Sequence, residues 1–375
     1  MYIQQVGLKL LQEALSLKKV VILYGPRRVG KTTLLNHFMK DKKKVLFVTG
    51  EDVFVQEFLS SSSIDKLKQF IADNEWLIID EAQFIPHIGA NLKLIHDHLP
   101  HVRVIATGSS SFELANSLGE PLTGRKYTIK MYPLSQIELN SIETPDKTQS
   151  SLESRLLYGS FPEVITNDNL SFKQQYLQEL VSSYLFKDIL AFEGIKKSKK
   201  VIDLLTLLAF QLGKEVSVSE LAAQLSLSKN TIEKYLDLLE KVFVLINIRG
   251  FSRNLRSEVT KTSRYYFYDN GVRNALINNF NPLNRRDDIG LLWENYLVIE
   301  RLKKQDYEHI FSKNYFWRTY DQKELDWIEE REGNIFAFEF KWKDFEKNPP
   351  KLWQETYPQS QYACINRENY LNFIV

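Results

Sequence analysis

Residues 25–32 read GPRRVGKT, and no other short segment constrains this chain as strongly. The spacing G-x-x-x-x-G-K-[ST] works only where a buried strand turns sharply into a helix. The N–H groups of the loop must point inward at phosphates while the helix presents its positive end to them. Both flanks meet that demand: Val20 to Tyr24 (VVILY) is a short apolar run of the parallel-strand type, and TLLNHFMK after the loop has helical spacing. Gly25 and Gly30 permit the turn, and Pro26, Arg27, Arg28 and Val29 complete the loop between them. Lys31 is placed to reach the β- and γ-phosphates, and Thr32, followed by Thr33, to offer its hydroxyl to Mg²⁺. ATP and Mg²⁺ are therefore the expected cofactors.

A second element agrees with the first. Trp76 to Glu81 (WLIIDE) is an apolar strand ending in two acids: Asp80 to hold Mg²⁺ through water, Glu81 to orient and polarise the attacking water. A third strand, VRVIATG from Val102 to Gly108, ends in polar residues, which makes Thr107 and Ser109 sensors for the γ-phosphate. TGSSS followed by FELA reads equally well as a serine cap opening a helix, and the two readings stand side by side. Strands near 20–24, 45–48, 76–80, 102–107 and 127–131 alternate with helical stretches, which predicts an α/β domain with a parallel sheet. The polar run from Ser141 to Ser154 closes it, giving a first domain over 1–145.

The chain's 375 residues exceed one ordinary core, and its 43% hydrophobic content can fill several. A net charge of +2 means that any basic surface is local. No run of eighteen apolar residues occurs and MYIQQVGLKLLQEAL reads as an amphipathic helix, so a soluble, cytoplasmic protein without membrane contact is expected. The single cysteine, Cys364, excludes an internal disulfide and a multi-thiolate zinc site. His96 and His98, two apart on a helix, point away from each other, which argues against a metal site among the clustered histidines.

Beyond 145 the strands stop, and 146–200 reads as a helical connector. In 201–275 the order helix (about Ser219 to Gln224), turn (Leu225 to Lys229), helix (from Asn230) and two strands is that of a winged helix. The segment between the strands carries Arg249, Arg253, Arg256, Lys261 and Arg264 against Glu258 alone, a wing able to follow a phosphate backbone, to lie in solvent, or to contact another domain.

In 276–375, ELDWIE (324–329) and IFAFEFKW (335–342) alternate as strands about an REGN turn. Symmetry about Glu332-Gly333 sets Asp326 opposite Glu339 and Glu324 opposite Lys341. Alternation then gathers these four on one face, and Leu325, Trp327, Phe336, Phe338, Phe340 and Trp342 on the other. Facing carboxylates repel unless a cation lies between them. An acid followed on the next strand by E-x-K resembles the PD-(D/E)xK nuclease core: Asp326 and Glu339 would hold Mg²⁺, Lys341 would act on water, and Glu294 matches an acid such cores add from a helix. A salt-bridge ladder explains the same pattern without a metal.

Taken together, GPRRVGKTTLL, LIIDEAQFIP, ATGSSSFEL, LTGRKYTIKMYPLSQIEL, GSFPEV, YLFKDI, ELDWI and FEFKW resemble a large bacterial and archaeal family of AAA-type ATPases. Its C-terminal half is a domain of unknown function with a winged helix and a restriction-endonuclease-like module. The resemblance spans nearly the whole chain and implies that Arg125, in LTGR, acts on the γ-phosphate from the same or another subunit. The expected function is an ATPase that couples nucleotide state to a DNA-interacting module, in a chain able to form homo-oligomers. The alternatives are a low-turnover signalling ATPase that binds a protein partner, and an ATP-regulated metal-dependent nuclease.

Overall fold

The computed structural model describes residues 2–108, 122–185, 198–252, 263–319, 321–343 and 348–375. The chain divides into two compact units, Met1–Pro133 with Lys241–Phe243, and Leu134–Glu240 with Val244–Val375. Ser109, most of YLFKDI, and the wing residues Arg253, Arg256 and Lys261 lie outside the described residues.

The first unit is built on five strands: β1 (Val20–Tyr24), β2 (Val45–Thr49), β3 (Trp76–Asp80), β4 (Arg103–Gly108) and β5 (Lys126–Lys130). They pair in the order β2-β3-β4-β1-β5, every pair parallel. β1, β3 and β4 are interior and nearly continuous in apolar residues because both of their faces are covered, whereas β2 at the edge is half exposed. Ile22, Leu77, Ile79, Val104 and Ala106 form a core with Val55, Leu67, Ile88, Leu92 and Ile95. With all strands parallel, their carboxyl ends share one edge, and Tyr24, Asp80 and Gly108 close there together.

The first unit ends at Pro133, earlier than the boundary at 145 read from the polar run. The reason is that the segment after Pro133 is tied into the second unit. Ser135 and Glu138 form a capping box, Gln136 donates its backbone N–H to Glu300 at 2.7 Å, and Lys303 reaches Leu134 O at 3.0 Å. Arg155 donates to Gln136 at 2.6 Å and pairs with Glu143 in the same buried network.

The second unit holds seven strands: β6 (Glu215–Val216), β7 (Leu245–Gly250), β8 (Ser263–Phe267), β9 (Lys313–Arg318), β10 (Glu324–Arg331), β11 (Asn334–Phe340) and β12 (Gln361–Ile365). They form one sheet in the order β12-β11-β10-β9-β7-β8-β6. The helices Val218–Leu225 and Lys229–Lys241 follow β6, with Ser226 in left-handed backbone (φ 53°) at the end of the first. β7 and β8 pair antiparallel, and β7 also pairs with β9 in parallel through Arg249–Tyr315 and Gly250–Phe316. Strands from 201–275 and from 276–375 therefore share one sheet.

The β10–β11 hairpin has the expected register, Trp327 opposite Phe338 and Arg331 opposite Asn334. Its division into one apolar and one acidic face does not hold. Leu325 packs with Ile328, Ile335, Ala337, Trp317 and Trp353, whereas Phe338 and Phe340 meet Phe373. β10 and β11 are interior strands covered on both sides, and the pairing of β10 with β9 slips between Leu325 and Ile328.

The helix Ile289–Tyr307 is joined to β8 by Asn295. Its amide accepts from Phe267 N at 2.7 Å and donates to Phe267 O at 3.1 Å, behaving as a strand neighbour would. Arg301, farther along this helix, grips Glu329 of β10 through two bonds of 2.6 and 2.9 Å.

GSFPEV is held from a distance. Asp269 accepts from Ser160 N at 2.7 Å, from Gly271 N at 2.8 Å and from Val272 N at 3.2 Å. Burial pushes its carboxyl from the ordinary 3.8 up to about 6 despite those donors. The folded chain therefore holds a proton that the unfolded chain releases between pH 3.8 and about 6, so stability falls as pH rises through that window. Asp269→Asn is expected to remove about one proton's worth of this slope in urea unfolding between pH 4 and 6. Asp269→Ala, which strands three N–H groups, is expected to cost roughly 2–4 kcal/mol at pH 7.

Candidate functional site

The loop after β1 turns as the glycine spacing predicts. Gly25 has φ 150°, and a Cβ there would lie 2.2 Å from Met131 O, so only glycine fits. Gly30 (φ 97°) caps the helix Lys31–Met39, and Leu34 N bonds back to Gly30 O at 2.9 Å. Lys31 is 6% exposed, and its ammonium donates to Gly25 O at 3.0 Å and Pro26 O at 2.8 Å, folded across the cradle it is expected to serve. Val29 is fully buried beneath the loop, while Arg28 is exposed, as are Thr32 and Thr33 at the start of the helix.

Asp80 is the centre of the arrangement. Thr32 Oγ1 donates to its Oδ2 at 2.7 Å, and Thr107 Oγ1 donates to its Oδ1. Thr107 is fully buried and also accepts from Glu81 N at 3.0 Å. Glu81 takes left-handed backbone (φ 51°), which turns its side chain away from the strand direction, and Gln83 Nε2 donates to its carboxylate. The hydroxyl of Thr32 and the carboxylate of Asp80 are hard oxygen donors of the kind Mg²⁺ takes, and they meet beside a loop and helix end built for phosphate. The residues present fit Mg²⁺ and a nucleotide.

Two supporting residues were not singled out in the sequence. Gln5 is 5% exposed; its Nε2 donates to Val29 O at 2.9 Å, and its Oε1 stands 3.1 Å from where a Cβ on Gly30 would lie. Gln83 was visible inside LIIDEAQFIP, but a polar residue after a strand carries no signal of its partner.

Arg125 is placed apart from this group. It immediately precedes β5, and its carbonyl accepts from Val20 N at 2.9 Å, at the amino edge of a sheet whose nucleotide loop lies at the carboxyl edge. A five-residue strand separates the two edges by roughly 15 Å. Its guanidinium instead donates to Asp97 Oδ1 at 2.8 Å, and that bond, with one from His96, lowers the Asp97 carboxyl to about 2. A glycine turn followed by arginine gave no means of telling which end of the strand it faces.

The second unit gathers the other predicted group. Glu294, Glu324, Asp326, Glu339 and Lys341 do converge, with Asp326 5% and Glu339 1% exposed rather than on an open ladder. Lys341 Nζ lies 2.6 Å from Glu339 Oε1, and Phe340 N donates to Asp326 Oδ2 at 2.8 Å. The unexpected member is Arg264, read from the sequence as one of five wing cations. It is 3% exposed, with its guanidinium 2.7 Å from Glu324, 3.6 Å from Glu294 and 3.9 Å from Asp326, so it is no backbone contact for DNA. β8 lies between β7 and β6, and the aromatic run SRYYF gives a charged side chain there no path to solvent. Tyr266 donates to Glu294 Oε1 at 2.6 Å. Burial, then Glu294 and Glu339, push the Asp326 carboxyl well up. Burial alone would lower the Arg264 guanidinium, but Tyr266 and the acids outweigh it and raise it.

Residues 17–140 match the model of an AAA domain; 149–283 and 289–362 match two domains of unknown function (DUF8612 and DUF4143). An uncharacterized protein of Mycobacterium tuberculosis (strain ATCC 25618 / H37Rv) is 27% identical over 341 residues, 88% of this chain and 72% of its own. One of Haemophilus influenzae is 26% identical over 340 residues, 84% of this chain and 80% of its own. Among solved structures, the Walker-type ATPase paby2304 of Pyrococcus abyssi aligns at a TM-score of 0.50 and 17% identity, over 72% of this chain and 94% of that one. The chain thus carries an AAA-type P-loop ATPase domain followed by C-terminal domains of unknown function. No described helix is long and apolar enough to cross a membrane.

Two substitutions separate residues that hold the loop from those that stand apart. Gln5→Leu strands a buried carbonyl under the loop and is expected to weaken ATP binding by about fivefold, the equivalent of one ordinary hydrogen bond. Arg125→Ala is expected to leave that affinity unchanged. Titration with a fluorescent ATP analogue reads both.

Proposed function

We propose that the chain is a Mg²⁺-dependent ATPase that works as a switch, its nucleotide state governing how the second unit engages a macromolecular partner. The observation that carries the ATPase reading is Asp80, whose carboxylate is shared by the hydroxyls of Thr32 and Thr107. When bound, Mg²⁺ would neutralise charge building on the phosphates. Lys31 would leave the loop carbonyls for the β- and γ-phosphates, Thr32 and Asp80 would hold the ion, and Glu81, positioned by Gln83 and Thr107, would orient the attacking water. Thr107 donates to the Asp80 carboxylate and accepts from the backbone N–H of Glu81, so it ties the ion's ligand to the backbone that carries the water-orienting residue. Arg125 can serve the γ-phosphate only from a second copy of the chain, a role that calls for a homo-oligomer.

For the second unit, the order of strand β6, the helix pair and the β7–β8 hairpin supports a winged-helix reading, and β10–β11 with the helix Ile289–Tyr307 supports a nuclease-like one. The partner is better read as protein than as duplex DNA. The exposed face of the helix Lys229–Lys241 carries Lys229, Asn230, Glu233, Lys234 and Asp237, two charges of each sign, and one of the five wing cations is buried. Phosphate binding needs an excess of positive charge that this face lacks.

Lys31→Ala is expected to abolish ATP binding, whereas Glu81→Gln keeps binding and loses turnover by at least a hundredfold, measured as phosphate release. Wild-type turnover in Glu81→Gln would remove Glu81 from its role. Duplex binding by the full chain is expected to be weak, with a shallow dependence on salt. A steep fall in affinity with salt would restore the DNA reading.

A further inference from the structure

The acidic cluster of the second unit is an assembly of charge that the ATPase does not use. Its carboxylates come from three elements: Glu294 from the helix Ile289–Tyr307, Glu324 and Asp326 from β10, Glu339 from β11. Acids at this spacing need compensating charge or donors, above all Asp326 and Glu339, which are buried, whereas the Glu324 side chain is 42% exposed. Each has one: Glu339 pairs with Lys341, Asp326 accepts from Phe340 N, Glu294 accepts from Tyr266, and Glu324 binds Arg264. Arg264 also stands within 4 Å of Glu294 and Asp326, and its guanidinium lies 4.4 Å from the centre of the Phe316 ring.

The nuclease resemblance implies a divalent ion held by Asp326 and Glu339, and the surroundings do not fit one. Mg²⁺ and Mn²⁺ need several oxygens free to turn toward one point. Here a guanidinium, itself unable to lose its proton, stands 3.9 Å from Asp326 and closer still to Glu294 and Glu324, and two cations so close in a water-poor setting repel. No group of three or more ligand-type residues arranged for a metal occurs among the described residues.

We propose that Arg264 is a tethered cation occupying the position of the divalent ion, so that the cluster is a latch between β8 and the β10–β11 hairpin, opened to metal only when Arg264 withdraws. The cluster then contributes cohesion in the resting chain and no cleavage. The proposal is independent of the ATPase reading.

The test uses the full, nucleotide-free chain in an Asp80→Asn background, which removes the ion ligand of the P-loop. Mn²⁺ binding is followed by electron paramagnetic resonance. The parent is expected to hold no Mn²⁺ through this cluster. Adding Arg264→Gln should create one site per chain, at least tenfold tighter than any binding in the parent, and adding Asp326→Asn should erase it. Asp326-dependent binding in the parent overturns the proposal, and so does a folded Arg264→Gln chain that takes up no Mn²⁺. Arg264→Gln should also lower the melting temperature by several degrees, since it leaves Glu294 and Glu324 without their cation. Asp326→Asn together with Glu294→Gln should return part of that loss or restore folding, and strictly additive losses would overturn the latch.

Discussion

One carboxylate, Asp80, accepts from hydroxyls that reach it from two directions, Thr32 from the helix after β1 and Thr107 from β4. That meeting is possible only because the sheet runs β3-β4-β1 with every strand parallel, which brings three carboxyl ends to a common edge. Change the order or reverse a strand and the lysine, the hydroxyls and the two acids are scattered over opposite edges. The nucleotide site is therefore less a property of the loop than of the topology beneath it, and residues remote in sequence, such as Gln5, enter through the same edge.

The second unit solves a different problem, the burial of many charges in a sheet covered on both faces. Arg301 with Glu329, Lys303 with Glu300, and Arg155 with Glu143 are each enclosed, and each joins segments or turns that the apolar core alone would not hold in register. Pairs of this kind add little net stability, yet losing one partner is severe because the other is left charged in a dry place. They bind the segment after Pro133, the helix Ile289–Tyr307 and β10 into a single body.

The nucleotide half was legible because its signals are local: an apolar strand, a glycine loop and a capped helix are contiguous, and each acid follows directly on its strand. The hairpin register was legible for the same reason, a turn fixing the pairing of its own flanks. What could not be read depends on contacts distant in sequence. Arg264 sits in a basic run that looks solvated, and only the position of β8 between two other strands shows that it must find acids inside. Arg125 differs: only the family resemblance gave it a role on the γ-phosphate, and strand direction sets it at the amino edge of its own sheet, which the local sequence did not reveal. Leu325 was assigned to a face by alternation, a rule that loses its meaning where the strand slips and both faces are covered.

Asn295 gives the helix Ile289–Tyr307 a fixed phase. A helix packed on a sheet by apolar contacts alone can rotate or slide by fractions of a turn at small cost, but an amide that bonds both the N–H and the carbonyl of Phe267 tolerates neither. The preceding residue is Glu294, so its carboxylate inherits that setting, as an indexing pin sets the tooth beside it. Neighbouring residues on one helical turn thus divide the work of alignment and of charge, and a substitution that touches only the amide would blur the geometry of acids it never contacts.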